Sequence, residues 1–207
     1  CTKFVEQRRA CPKDDLTSVL ANAKIDGKHL EPLELLSYMF LLIAAGNETT
    51  RNATTGGMLA LIEHPDQMAI ALKHPDALDL AVEEIVRWTS PVIHFCRTPN
   101  QDVTLHGVNI TAGEHLVLFY PSANRDDTIF QDPYRFNVLR QPNQQLGFGI
   151  GEHLCLGAHL ARLELRAVFR GLFDRIEEAE LTGEPSRLKS SIVGGIKHLP
   201  MKIKLKA

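Results

Sequence analysis

Cysteine is scarce in this 207-residue chain: Cys1, Cys11, Cys96 and Cys155 include no C-x-x-C pair. That spacing excludes a dense disulfide framework at this length and points to a reducing, cytoplasmic setting. His153, Cys155 and His159 lie close together, but the paired spacing of zinc ribbons and fingers is missing. An excess of charge is missing too, since 23 Lys plus Arg stand against 25 Asp plus Glu for a formal charge of −2. No global field therefore draws in nucleic acid or an anionic membrane, and neither is expected as a partner. Long apolar runs are absent as well. The longest, Tyr38 to Gly46, spans nine residues, against roughly 20 for a helix that crosses a bilayer. Repeats, low-complexity tracts and linker-like stretches are lacking, so a single domain over residues 1–207 is expected. The chain opens on Cys1 with no charged-then-apolar leader, as the interior of a longer polypeptide would.

What is present is an ordinary globular composition, 44% hydrophobic and 23% charged, enough for one sizeable core. Asp14 to Ala23 reads as a short helix, and Asp26-Gly27 as a turn. Pro32 opens a helical stretch that runs to about Glu63, a rod of roughly 48 Å. Its apolar middle implies burial. Further helices are expected at Pro65 to Lys73 and Leu78 to Trp88, the latter with Leu80, Val82, Ile85 and Val86 at helical spacing. Val103 to Leu105, Val108 to Ile110 and His115 to Tyr120 are short β-prone runs that read as an antiparallel meander. Asp132 to Gln145 has little periodicity. A helix follows over about Leu156 to Ile176, with Leu156, Leu160, Leu163 and Ala167 on one face. Lys197 to Leu205 reads as a closing strand whose Pro200 places it at an edge.

Three segments carry chemistry. The first is Leu146-Gly147-Phe148-Gly149-Ile150-Gly151-Glu152-His153-Leu154-Cys155-Leu156-Gly157. It fails as a phosphate loop, because the third glycine of G-x-G-x-x-G falls on Glu152 or Leu154 and no Gly-Lys-Ser/Thr follows. It does set a cysteine at a helix start, where free N–H groups and the helix dipole favour a thiolate suited to a metal ligand or a nucleophile. A buried structural cysteine beside a turn is the alternative. The second is Ala44-Ala45-Gly46-Asn47-Glu48-Thr49-Thr50, an acid and two hydroxyls beside a glycine within the apolar helix. Such a violation marks a functional site or a kink, and the alternative is a solvated face. The third is Glu84-x-x-Arg87, whose members meet on one helix face.

Taken in this order, these pieces resemble the cytochrome P450 family over about residues 10 to 205. Phe148-Gly149-x-Gly151-x-His153-x-Cys155-x-Gly157 is similar to its haem-binding signature, and Ala45-Gly46-x-Glu48-Thr49-Thr50 to the oxygen-activating part of its long central helix. Glu84-x-x-Arg87 resembles its ion-paired core helix, and Asp132-Pro133-Tyr134-Arg135-Phe136 the stretch that supplies the second arginine of that network. Ala123-Asn124-Arg125-Asp126 and the Arg97 segment fit as well. Arg87 and Cys155 are 68 positions apart, a compact spacing similar to bacterial members.

The resemblance implies a mainly α fold with small antiparallel β-sheets, the C-terminal portion of the P450 fold with the N-terminal half absent. It implies haem b (iron protoporphyrin IX) with Cys155 as the iron ligand, donating electron density that favours O–O cleavage. Phe148, Gly149 and Gly157 would pack at the cofactor, Arg97 and His153 would pair with its propionates, and Gly46 would leave room for O2. Glu48 and Thr49 would relay protons. Leu41, Ala44, Ala45, Val92, Ile93, Phe95, Ile192 and Val193 match substrate-lining positions, and their apolar character implies a small apolar substrate. Trp88 to Phe95 is similar to actinobacterial members that act on sterols or other lipids. The implied activity is monooxygenation with electrons from NAD(P)H through a ferredoxin-type partner and its reductase. Arg162, Arg166 and Arg170 are candidates to dock that partner, with a solvated helix face as the alternative. A peroxygenase or isomerase, or a non-catalytic haem-binding fragment, are the other readings. Gln145 and Gly147 depart from the His and Ala of many relatives. With half the family's length missing, the long helix and the haem face are expected to remain partly exposed.

Overall fold

A computed structural model describes residues 2–206, the side chain of Pro75 excepted; Cys1, on which the expectation of a longer parent chain rests, lies outside them. The described residues are mainly helical with five small antiparallel sheets of two strands each. They divide into two compact units, Cys1–Glu48 and Thr49–Ala207.

The first unit contains α1 (Thr2–Ala10), α2 (Leu16–Asn22), the β1–β2 hairpin (Lys24–Ile25, Lys28–His29) and the start of α3 (Pro32–Glu63). Asp15 caps α2, accepting hydrogen bonds from the Ser18 amide at 2.7 Å and from Arg8 Nε at 2.6 Å. Asp26-Gly27 makes the expected turn. The unit's buried core is Val5, Ala21 and Leu35. A core of that size cannot cover an apolar helix on several faces, so the middle of α3 is not buried, as its apolar run alone implied, but partly exposed, as expected for about half the family's length: Phe40 is 73% exposed and Ile43 64%.

The second unit holds the main core. Here α3 continues to Glu63, followed by α4 (Pro65–Lys73) and α5 (Leu78–Thr89), all within a residue of the sequence-based bounds. Val82, Ile85 and Val86 of α5 pack with Met58 and Leu61 of α3 and with Leu165, Phe169 and Phe173 of α7 (Ala158–Arg175). The buried stripe of α7 is thus not Leu156, Leu160, Leu163 and Ala167. Leu160 and Leu163 point outward, because the two phenylalanines fill the space beside α5 and turn the helix accordingly.

The expected meander is also rearranged. β4 (Val103–Leu105) and β5 (Val108–Ile110) pair as a hairpin, but β6 (Leu116–Phe119) pairs with β3 (His94–Arg97), from His94 against Phe119 to Arg97 against Leu116. The hairpin is an excursion between two strands that close over it, tied at its base by the Gly113 amide donating to the Pro99 carbonyl at 2.9 Å. After the short α6 (Tyr120–Ala123) and an irregular stretch comes the cysteine loop, then α7 and β7 (Ile176–Leu181). The expected closing strand is split. β9 (Ile196–His198) pairs with β8 (Ser186–Arg187), and β10 (Met201–Leu205) with β7. Pro200 lies at the break, with no N–H to give a ladder, and its carbonyl accepts from the Thr182 amide.

Candidate functional site

The side chains of Glu84 and Arg87 are both completely buried. Arg87 Nε and Nη2 donate to the two carboxylate oxygens of Glu84 at 2.7 and 2.8 Å, a bidentate pair one helical turn apart. The remaining guanidinium donors reach the carbonyls of Asn124, Pro133 and Arg135. Glu84 also accepts from Arg140 Nε at 3.0 Å, the Asn137 amide at 2.8 Å and Asn143 Nδ2 at 3.2 Å. A buried ion pair survives only when its other polar valences are met, and here the backbone of residues 124–137 meets them. The second arginine of this network is Arg140, not Arg135. Arg135 is exposed and contributes its carbonyl, which accepts from both Arg87 and Arg140. The side chain five residues later is the one whose irregular backbone turns it inward, where it also donates to the carbonyls of Gln131 and Asp132.

Asn124 connects this cluster to the cysteine loop. It is fully buried; its Nδ2 donates to Ser90 Oγ, and its Oδ1 accepts from the Leu146 amide at 2.7 Å, where the loop begins. The loop is then closed by its own backbone. The Gly149 amide donates to the Leu146 carbonyl and the Cys155 amide to the Phe148 carbonyl, each at 2.8 Å. Gly149 has φ of +71°, and a Cβ there would come within 3.2 Å of the His153 carbonyl, so a side chain would force the tight turn open. A short 3-10 turn (Gly151–His153) brings the chain to Cys155, and its carbonyl accepts from the Ala158 amide at the start of α7. Cys155 is an exposed free thiol, as are Cys11 and Cys96. Ile150, Leu154 and Leu156, on either side of it in the chain, are exposed as well, the last by 83%.

Phe148 is half-buried, packed on the main core, with the guanidinium of Arg162 4.4 Å above its ring. Arg162 is itself held by Glu83 through bonds of 2.5 and 3.0 Å, and Gln145 Nε2 donates to the same carboxylate. Burial alone would raise Glu83, yet the hydrogen bonds from Arg162 and Gln145 and the charges of Arg162 and Arg166 outweigh it and hold the carboxyl below its ordinary range. Arg162 is raised in turn, first by its hydrogen bond to Glu83. Arg166 pairs with Asp79 at 3.4 Å. Two of the three arginines named as docking candidates thus also join α7 to α5, while Arg170 is exposed.

The remaining sequence-predicted residues fall into two groups. Leu41, Ala44, Ala45, Gly46 and Glu48 are exposed on α3 within the first unit, and Thr49 is half-buried where the second begins. The helix continues unbroken through them. Thr54 Oγ1 back-bonds to the Thr50 carbonyl at 2.9 Å. Val92, Ile93, Ile192 and Val193 are brought together: Val92 and Val193 form an isolated antiparallel bridge, and the Ile93 amide donates to the Ile192 carbonyl at 2.8 Å. Phe95 stands exposed on β3, and half-buried Arg97 donates to the Cys96 carbonyl. His153 is exposed in the loop.

Sequence reasoning missed Arg140 and Asn52, and named the Asn124 segment without giving Asn124 a role. Asn52 is 3% exposed, and neither its Nδ2 nor its Oδ1 has a hydrogen-bond partner among the described residues, an arrangement that costs about 1–3 kcal/mol. It borders a cleft of about 1100 Å³ together with Trp88, Thr89, Arg125, Gly194 and Gly195. The signal was an asparagine four positions after Glu48, on a helix whose following turns are apolar. Among the described residues, no group of three or more His, Cys, Asp or Glu side chains gathers as a metal cage, and no helix is long and apolar enough to cross a membrane.

This chemistry agrees with what the chain is similar to. A family model described as Cytochrome P450 matches residues 71–205. A methyl-branched lipid omega-hydroxylase of Mycobacterium bovis is 48% identical over 97% of this chain and 47% of its own length. A steroid C26-monooxygenase of the same species is 44% identical over 95% of this chain and 45% of its own. The crystal structure of CYP108D1 from Novosphingobium aromaticivorans superposes with a TM-score of 0.92 at 42% identity, covering 99% of this chain and 50% of that one. The chain spans about half the length of the curated relatives it matches. With the matched region taking in the buried Glu84–Arg87 pair and the Cys155 loop together, this chain belongs to the cytochrome P450 family.

Proposed function

We propose that residues 1–207 form the haem-binding part of a bacterial monooxygenase that inserts one atom of O2 into an apolar substrate. The observation that carries this reading is the Cys155 loop: an exposed thiol on a rigid, glycine-turned backbone, flanked in sequence by exposed apolar side chains. Those features suit haem b. A bare sulfur is a ligand for iron, apolar side chains suit the flat macrocycle, and cationic or imidazole groups suit its carboxylates. When bound, the haem supplies oxygen activation, which a thiolate ligand promotes by pushing electron density toward O–O cleavage.

The chain's own residues take these roles. Cys155 would hold the iron, from a backbone whose amide donates to the Phe148 carbonyl. Arg97 and His153 neutralise the propionates. Glu48 and Thr49, adjacent on α3, hold and pass protons through carboxylate and hydroxyl, and Gly46 leaves the helix surface bare for a small gas molecule. Leu41, Ala44, Ala45, Val92, Ile93, Phe95, Ile192 and Val193 bind the substrate through apolar contact and exclude water from it. A sterol or other lipid is the substrate class, supported by the likeness to the lipid hydroxylase and the steroid monooxygenase. Electrons come from NAD(P)H through a ferredoxin-type partner and its reductase, and the free thiols suit the cytoplasm.

The test is expression of the chain with haem supply, followed by the reduced carbon monoxide spectrum. A thiolate-type Soret band that disappears in Cys155→Ala is the expected result. Its absence from the parent chain would sink the reading of this polypeptide as a haem-thiolate protein, and its survival in Cys155→Ala would move the ligand to another sulfur.

A further inference from the structure

Asn52 occupies the space that a side chain at Gly195 would take. A Cβ built on Gly195 would fall 2.3 Å from Asn52 Oδ1, 2.4 Å from Cγ and 2.6 Å from Nδ2, so the whole carboxamide seats against the glycine. Gly195 closes the corner that carries Ile192 and Val193. On the side facing residues 91–94 that corner is stitched by hydrogen bonds: the Ile93 amide to the Ile192 carbonyl and the Gly194 amide to the Pro91 carbonyl, both at 2.8 Å, with His94 Nδ1 3.0 Å from the Ser191 carbonyl. On the α3 side, Asn52 meets it by shape alone, because neither amide atom of Asn52 is hydrogen-bonded.

A buried carboxamide with no partner is a poor choice for stability, and an apolar residue would serve the core better. Its presence where one glycine receives it points to position rather than to bonding. We propose that Asn52 is a positioning residue that sets the depth of the Ile192–Val193 corner by acting as a stop against Gly195, and so determines which apolar substrates fit. The specificity half of this inference rests on the proposed substrate role of that corner; the stop itself does not.

The experiment is a size exchange read by amide hydrogen exchange on the full chain. Gly195→Ala drives a methyl into Asn52 and should speed exchange at the Ile93 and Gly194 amides roughly tenfold or more, leaving the Cys155 amide unchanged. Asn52→Ala with Gly195→Ala restores the space and should bring both rates back to within about threefold of the parent. A double variant no better than Gly195→Ala overturns the stop. Asn52→Ala alone loses no hydrogen bond and keeps the fold, so it reports on specificity. In the haem-loaded protein its product ratio for a methyl-branched against a straight-chain fatty acid should shift by roughly threefold or more, with the carbon monoxide band unmoved. An unmoved ratio beside a restored exchange rate makes the contact merely structural and overturns the specificity role. A parent without the thiolate band defeats the functional reading instead, and the exchange pair then decides the stop on its own.

Discussion

Around Glu84 every charged atom is enclosed and bonded, whereas around Cys155 the free sulfur and its apolar neighbours in the chain are exposed. Both regions attach to α5, and Asn124 bonds to both, giving its carbonyl to Arg87 and its side-chain oxygen to Leu146. One is a finished structure that uses its polar groups on itself. The other has a finished backbone and unfinished side chains. The contrast separates the residues that make the fold from those left available to a ligand, and it predicts that the two respond oppositely to substitution.

The largest effect is expected at the buried pair. Glu84→Ala strands two arginines and should cost about 3–5 kcal/mol, enough to abolish a cooperative urea transition in a marginal chain. The two arginines of the irregular stretch give the next comparison. Arg140→Ala removes charged hydrogen bonds and should cost about 2–3 kcal/mol, while Arg135→Ala should stay within about 0.5 kcal/mol because only its carbonyl is used. Equal losses in thermal unfolding would return the role to Arg135.

Glu83 lies between the two regimes, since its partners join α7 to α5 but remain partly in water. Its carboxyl is held below the ordinary range in the folded chain, so this contribution is full above the unfolded value of about 4.3 and fades as pH falls through the lower folded value. Glu83→Gln should lower stability by about 1 kcal/mol at pH 7 and flatten the acid limb of the stability curve. A limb that keeps the parent's slope would show that other carboxylates carry it. The smallest effect on stability belongs to Cys155→Ala, within about 0.5 kcal/mol for an exposed side chain, although this is the substitution that should remove the haem spectrum altogether. A loss of several kcal/mol there would erase the distinction between the regions.

The helices were legible from periodicity and from Pro and Gly punctuation: α3 and α4 match to the residue, and α2 differs only at its ends. The Cys155 loop was legible because its chemistry is local, with glycine, cysteine and helix start within one short segment. Less visible was anything that depends on which surface a residue meets. The leucines of α7 satisfy a helical face as well as its phenylalanines do, and only packing against α5 decides between them. Arg135 and Arg140 are indistinguishable by residue type. The backbone of the irregular stretch turns the second inward, to a carboxylate 56 positions away.

By itself the sequence determined the helical elements, the glycine-turned cysteine and the family, because each depends on residue types at short, fixed spacing. The tertiary structure alone decided that β3 closes on β6, that Arg140 completes the buried cluster, and that Asn52 seats against Gly195. Those choices are made by volume and by hydrogen-bonding groups arriving from far along the chain, where spacing carries no information and only the enclosed space selects the partner.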